Sequence, residues 1–112
     1  MLDVRWKIWV ERDGNAVFGD GRARLLEGIG ETGSLSAAAR ELGIPYRTAW
    51  KHLNAMEEGF GRKIVDRTAG GATGGGCTLT QAGRALLDAY LAFRADAEEA
   101  LQARARQFLD AT

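Results

Sequence analysis

Apolar and polar residues alternate at the start of the chain. Val4, Trp6, Ile8 and Val10 share one face of an extended segment, and Arg5, Lys7, Trp9 and Glu11 share the other. A period of two predicts a half-buried strand. Asp13-Gly14 and then Ala16-Val17-Phe18 supply a turn and a returning strand, so a hairpin is expected over about residues 4–18. Trp6 and Trp9 point to opposite faces. One is expected in the core, and the other, Trp9, over a helix or a partner chain.

The period then changes. Asp20 can cap a helix over Gly21–Glu31, where Leu25, Leu26 and Ile29 line one face and Thr32-Gly33 stops it. Ser34-Leu35-Ser36 opens a second, alanine-rich helix with Ser36 as N-cap, and Gly43 ends it. After Ile44-Pro45 a third helix runs from Tyr46 to about Glu58 and ends at Gly59. Ile64–Thr68 and Cys77–Leu79 read as two short strands around a glycine-rich loop. Thr80 caps a long helix from Gln81 to about Phe108, in which Leu86, Tyr90, Phe93, Ala97 and Leu101 recur at spacings of three and four.

The third helix carries the candidate chemistry. At 100° per residue, Tyr46, Ala49, Leu53, Met56 and Phe60 cluster on one side, with Trp50 at the edge. Arg47, Thr48, Lys51 and Asn54 lie opposite. Arg can pair with guanine or a phosphate, Asn with adenine, and Thr with a phosphate or a thymine methyl. A solvated face is the plain alternative. The setting favours recognition: an alanine-rich helix, a tight turn and a polar-faced helix make a helix-turn-helix, and the hairpin after it is a wing. Arg62, Lys63 and Arg67 beside that wing are expected on phosphate, and Gly74 and Gly75 at its tip allow close approach to DNA. Ser34, Ser36 and Tyr46 are expected at the flanking backbone.

The wing loop is not a nucleotide cradle, because no Gly-Lys-Ser/Thr leads from it into a helix. His52 reads as a flank or phosphate contact, and Cys77 as a small buried residue. With one histidine and one cysteine, no base–nucleophile pair or metal site can be placed, so an enzyme is not expected. There is no apolar run of the roughly 20 residues a bilayer needs. No signal peptide is visible either, so a cytoplasmic protein with no membrane partner is expected.

Composition changes the picture only when divided. Over 112 residues, 15 basic and 15 acidic side chains cancel, which is no bulk signal for nucleic acid. By region, residues 1–39 hold 5 basic and 6 acidic residues, 40–79 hold 6 and 4, and 80–112 hold 4 and 5. The small positive excess sits on the helix-turn-helix and wing. Of the 15 glycines, five fall in Gly70–Gly76.

Several runs resemble those of two known families. Gly33-Ser34-Leu35-Ser36-Ala37-Ala38-Ala39 with Leu42-Gly43-Ile44 resembles the DNA-binding domain of LysR-type regulators. Gly43-Ile44-Pro45-Tyr46-Arg47-Thr48-Ala49-Trp50, Thr68–Gly76 and Leu79-Thr80-Gln81-Ala82-Gly83 resemble that of ModE-type molybdate-responsive regulators. The resemblance covers roughly residues 20–105. It implies that Tyr46, Arg47, Thr48 and Lys51 face double-stranded DNA and that the long helix dimerises. ModE-type proteins carry molybdate-binding domains after that helix. None is present before Thr112, so no cofactor is expected on this stretch, and a separate molybdate-sensing protein is one route for a signal.

The expected fold class is mainly α with a small β component. It is one winged helix-turn-helix domain over 1–112: an N-terminal β-hairpin (1–19), three helices (20–60), a glycine-rich wing (61–79) and a long dimerisation helix (80–109). Leu86, Tyr90, Phe93, Ala97 and Leu101 are the expected dimer contacts. The expected function is a homodimeric transcriptional regulator with helix 46–58 in the major groove and wing 68–78 on the backbone. A winged helix used only for protein–protein assembly is the alternative.

Overall fold

A computed structural model of the chain describes residues 1–68 and 76–112. The order of elements is β1 (Trp9–Arg12), β2 (Asn15–Gly19), α1 (Asp20–Thr32), α2 (Leu35–Leu42), α3 (Tyr46–Phe60), β3 (Val65–Arg67), β4 (Cys77–Leu79) and α4 (Gln81–Asp110). This is a mainly helical winged helix-turn-helix with two separate antiparallel hairpins and a long final helix. No helix among the described residues is long and apolar enough to cross a membrane.

The first hairpin is shorter than the alternation predicts. Asp13 and Gly14 form the two-residue turn, both with positive φ, and Arg12 pairs with Asn15. Residues 1–8 lie outside any strand, and β1 is exposed along its whole length. Only Val17 and Phe18 of this hairpin enter the core. Neither early tryptophan is buried: Trp6 is half-exposed, and Trp9 is 50% exposed with its Nε1 donating to Glu11. The hairpin offers one face to α1 and α3, and the alternation over residues 4–8 forms no strand, so the period of two is not realised there.

The core gathers Phe18, Leu25, Leu26, Ile29, Leu53, Met56, Ile64 and Leu87, with the small Ala38, Ala39 and Ala49 where the helices cross. Gly33, Gly43 and Gly61 close α1, α2 and α3. Three expected helix ends are corrected. Ser34, not Ser36, caps α2, its Oγ accepting from the Ala37 N–H at 3.1 Å. α3 runs through Gly59 to Phe60 and stops at Gly61, which takes the left-handed conformation, while Gly59 admits the close approach of Val17. Asp20 does not cap α1. It is the first helical residue, and its carboxylate instead accepts from the Tyr90 hydroxyl at 2.5 Å and from Arg94 Nε at 2.7 Å.

That last contact anchors α4. Thr80 caps it, accepting from the Gly83 N–H at 2.9 Å while its own hydroxyl donates to the Lys63 carbonyl. Gly83, Leu87 and Tyr90 are its buried residues, and beyond Tyr90 nothing on α4 is buried. Tyr90 packs edge-on against Phe18, ring centroids 4.9 Å apart. Tyr90 therefore lies in the chain's own core rather than on an outer face, and Leu86 packs against that core too.

Candidate nucleic-acid interface

α2 and α3 meet through the Gly43-Ile44-Pro45 turn, with the Ile44 N–H bonded back to the Ala39 carbonyl at 3.0 Å. Ala49, Leu53 and Met56 bury one side of α3. The opposite side is thereby forced outward, since the helical period fixes both faces at once. Arg47, Lys51 and Asn54 are exposed and Thr48 is half-buried. The two ion pairs among the described residues, Arg94–Asp20 and Arg94–Glu98, lie away from α3. Neither Arg47 nor Lys51 is ion-paired among the described residues.

Ser34 is half-buried and its hydroxyl is engaged as the α2 cap, whereas Ser36 is exposed in the first turn of α2. Tyr46, expected on the apolar side, is 53% exposed at the start of α3, with its ring edge-on to Trp50. Arg62, Lys63 and Arg67 are exposed around the base of the wing. Gly74 and Gly75 lie outside the described residues.

The wing is tied to the helix-turn-helix at two points. The Cys77 N–H donates to the Gly33 carbonyl at 2.9 Å, beside the α1–α2 junction. The Glu57 carboxylate accepts from the Ile64 and Val65 N–H groups at 2.8 and 3.3 Å. This acid of α3 thus serves the strand after it. Cys77 is buried, and that burial pushes its thiol up, away from reactivity. His52 sits half-buried on the opposite flank of α3, where burial and then the nearby Arg22 cation lower its pKa.

Sequence reasoning missed one contact of the interface. The Arg67 guanidinium lies over the Trp50 ring, 3.2 Å from its centroid. Seventeen residues separate the two, and no local spacing rule joins them; only Trp50's place at the edge of the apolar face hinted at a neighbour. Phe108 was also missed. It is 62% exposed and continues the stripe of Phe93, Ala97 and Leu101, so the same count of threes and fours would have found it.

A helix-turn-helix followed by a short hairpin, with an unpaired cationic face on its second helix, defines a winged-helix regulator. The chain matches the bacterial regulatory helix-turn-helix proteins of the lysR family over residues 22–84 and belongs to that family. It is 46% identical over 88 residues to the molybdenum-pterin-binding protein MopB of Rhodobacter capsulatus, covering 79% of this chain and 32% of that protein. It is 41% identical over 69 residues to the transcriptional regulator ModE of Haemophilus influenzae, covering 62% and 27%. With the DNA-binding transcriptional dual regulator ModE of Escherichia coli K12 it shares 39% over 69 residues, covering 62% and 26%. The chain spans between a quarter and a third of the length of these curated relatives. Its fold is similar to the crystal structure of ArgP from Mycobacterium tuberculosis, with a TM-score of 0.56, 25% identity, and coverage of 74% of this chain and 29% of that one.

Proposed function

We propose that the chain is a sequence-specific DNA-binding regulator that acts as a homodimer. The observation that carries this reading is the outward face of α3: two cations, an amide and a hydroxyl with no carboxylate paired to them, on the second helix of a helix-turn-helix. Arg47, Thr48, Lys51 and Asn54 enter the major groove. Ser36 and Tyr46 touch the flanking backbone, with Ser34 holding the α2 N-terminus toward it. Arg62, Lys63 and Arg67 meet phosphate, and the wing tip, including Gly74 and Gly75, follows the backbone.

The dimer is carried by α4. Its 30 residues reach about 45 Å at 1.5 Å per residue, and Phe93, Ala97, Leu101 and Phe108 lie along one stripe past the last buried residue. A two-fold pair would cover that stripe and set two α3 helices about 34 Å apart, one turn of DNA. Leu101→Glu is expected to convert a dimer to a monomer in sedimentation equilibrium. A wild-type chain that sediments as a monomer removes the dimer from the reading.

The relatives' names supply the signal. They are regulators and molybdenum-pterin-binding proteins, and this chain is assigned to molybdate-responsive regulation on that likeness, directly or through a separate sensing protein. Chromatin immunoprecipitation with and without molybdate tests the assignment, and sites whose occupancy ignores molybdate count against it. DNA recognition itself is tested by selecting binding sites from a random duplex pool. On a selected site, Arg47→Ala and Lys51→Ala should each weaken binding roughly tenfold. A pool that yields no enriched sequence would leave a protein-binding winged helix instead.

A further inference from the structure

We propose that Trp50 is a positioning residue of the DNA interface. Its indole is a platform that holds the Arg67 guanidinium of β3 and the Tyr46 ring at the start of α3 as one preset phosphate clamp. This rests on the DNA-binding reading above.

The geometry is specific. Arg67 reaches across from the wing and lies over the indole at 3.2 Å from the ring centroid. Tyr46 meets the same indole edge-on, with centroids 6.1 Å apart and planes at 86°. Trp50 is half-buried and packed against the core, so the platform is fixed from below. Tyr46 and Arg67 are exposed, so what it presents is open from above.

Charge placement points the same way. A guanidinium stacked on an aromatic face engages its π surface and leaves its N–H donors, which lie in its own plane, directed outward. Those donors match a phosphate in the two-pronged fashion that Arg favours. Among the described residues no carboxylate pairs with Arg67. Glu57, the acid of α3 on that flank, is held by the Ile64 and Val65 N–H groups. An exposed arginine normally loses rotamer freedom when it binds an anion; here the stack removes that freedom beforehand, which preorganises the contact. The stack also joins the wing to the recognition helix, so phosphate contacts from both elements share one register.

The role is separable from packing. On an operator selected from a random duplex pool, Arg67→Ala and Trp50→Leu should each weaken binding about fivefold, the scale of a partly desolvated cation–π contact. The double variant should lose less than the product of the two single losses, because part of what Trp50 contributes acts through Arg67. The slope of log affinity against log salt should fall by about one in Arg67→Ala and in the double variant, which lose the cation, and stay near that of the wild type in Trp50→Leu, which keeps it. Trp50→Phe keeps an aromatic face and should restore most of the affinity. Arg67→Lys leaves Trp50 and the net charge untouched but removes the planar fork, and should lose affinity too. Far-ultraviolet circular dichroism and the thermal midpoint confirm that each variant is folded. Additive losses in the double variant, or full affinity in a folded Trp50→Leu, would overturn the platform while leaving DNA binding intact. If Trp50→Leu does not fold, Trp50→Phe and Arg67→Lys decide: full affinity in Arg67→Lys overturns the proposal. A pool with no enriched sequence overturns it together with the reading it rests on, and by a different result.

Discussion

Two hairpins flank α3, and they do different work with the same secondary structure. β1–β2 sits on the flank of His52 and Gly59, where Val17 packs and Arg12 donates to the Gly59 carbonyl at 2.9 Å. β3–β4 sits on the flank of Trp50 and Glu57. The first hairpin gives the core two residues, Val17 and Phe18, from one strand. The second, with Ile64 before it, buries Ile64, Val65 and Cys77 from both sides of its loop. Its backbone is also tied at both ends, to Glu57, Gly33 and Thr80. The exposed charges of the first are two acids and one cation, Glu11, Asp13 and Arg12, and those of the second are three cations and one acid, Arg62 and Lys63 leading into it with Asp66 and Arg67 on it. A hairpin becomes a wing here through rigid attachment and cations left without partners, and not through its strand pairing.

Two glycines make this contrast measurable. Each lies inside a helix at a close approach from one hairpin, so alanine pits a helix-propensity gain of about 1 kcal/mol against a clash. A Cβ on Gly83 of α4 would overlap the Ile64 carbonyl oxygen. That oxygen cannot move: it accepts from the Thr80 N–H at 2.9 Å, and the Ile64 N–H is held by Glu57. A Cβ on Gly59 of α3 would overlap the Val17 side chain. There the hairpin can shift outward, since β1 has nothing over it. Chemical denaturation should show Gly83→Ala destabilised by about 3 kcal/mol and Gly59→Ala by about 2 kcal/mol, both within the range of overpacked cores. Equal losses would mean that the first hairpin is as firmly seated as the wing, and the contrast between them would fail.

How much of this was legible in the sequence follows the range of the interaction. The helix-turn-helix was legible because its signals are local: the alanines of α2, the Gly43-Ile44-Pro45 turn and the 3.6-residue period of α3 all act within a few residues. The face of Arg47, Lys51 and Asn54 followed from the same period. Helix caps were less legible, because neighbouring residues of the same type compete for them. Ser34 and Ser36 are equally good caps as residue types, and the fold selects Ser34 by where α1 stops. The reading of Gly59 as a stop was reasonable locally and wrong globally, since the close approach of Val17 uses the missing side chain. What was not legible at all is long-range. Asp20 lies 70 residues from Tyr90 and 74 from Arg94, and no pattern in sequence joins such partners. That contact also explains why Tyr90, correctly placed on the apolar stripe of α4, belongs to the chain's own core.

The same contact yields the smallest and most pH-specific effect. Asp20 ties the start of α1, just after the first hairpin, to α4, which begins just after the second. It therefore joins the two regions that the glycine variants separate. Asp20→Asn should lower the thermal midpoint by about 5 °C, on the scale of one lost polar interaction in a domain this size. Its pH dependence identifies the cause. Hydrogen bonds from Arg94 and then Tyr90 hold the Asp20 carboxyl below its ordinary 3.8. A depressed carboxylate contributes stability that is present above the unfolded value and is lost as pH falls through the folded one. The gap between wild type and Asp20→Asn should therefore be constant near neutrality and close below about pH 4. Tyr90 provides the opposite limit. Burial, and then its bond to Asp20, push the phenol up to about 12 from 10.0, so its share of stability holds below pH 10 and is lost toward 12. Tyr90→Phe should lack that alkaline loss. A gap between wild type and Asp20→Asn that persists unchanged to pH 2 would show that the carboxylate's charge is not what joins α1 to α4, and that Phe18 packing on Tyr90 suffices.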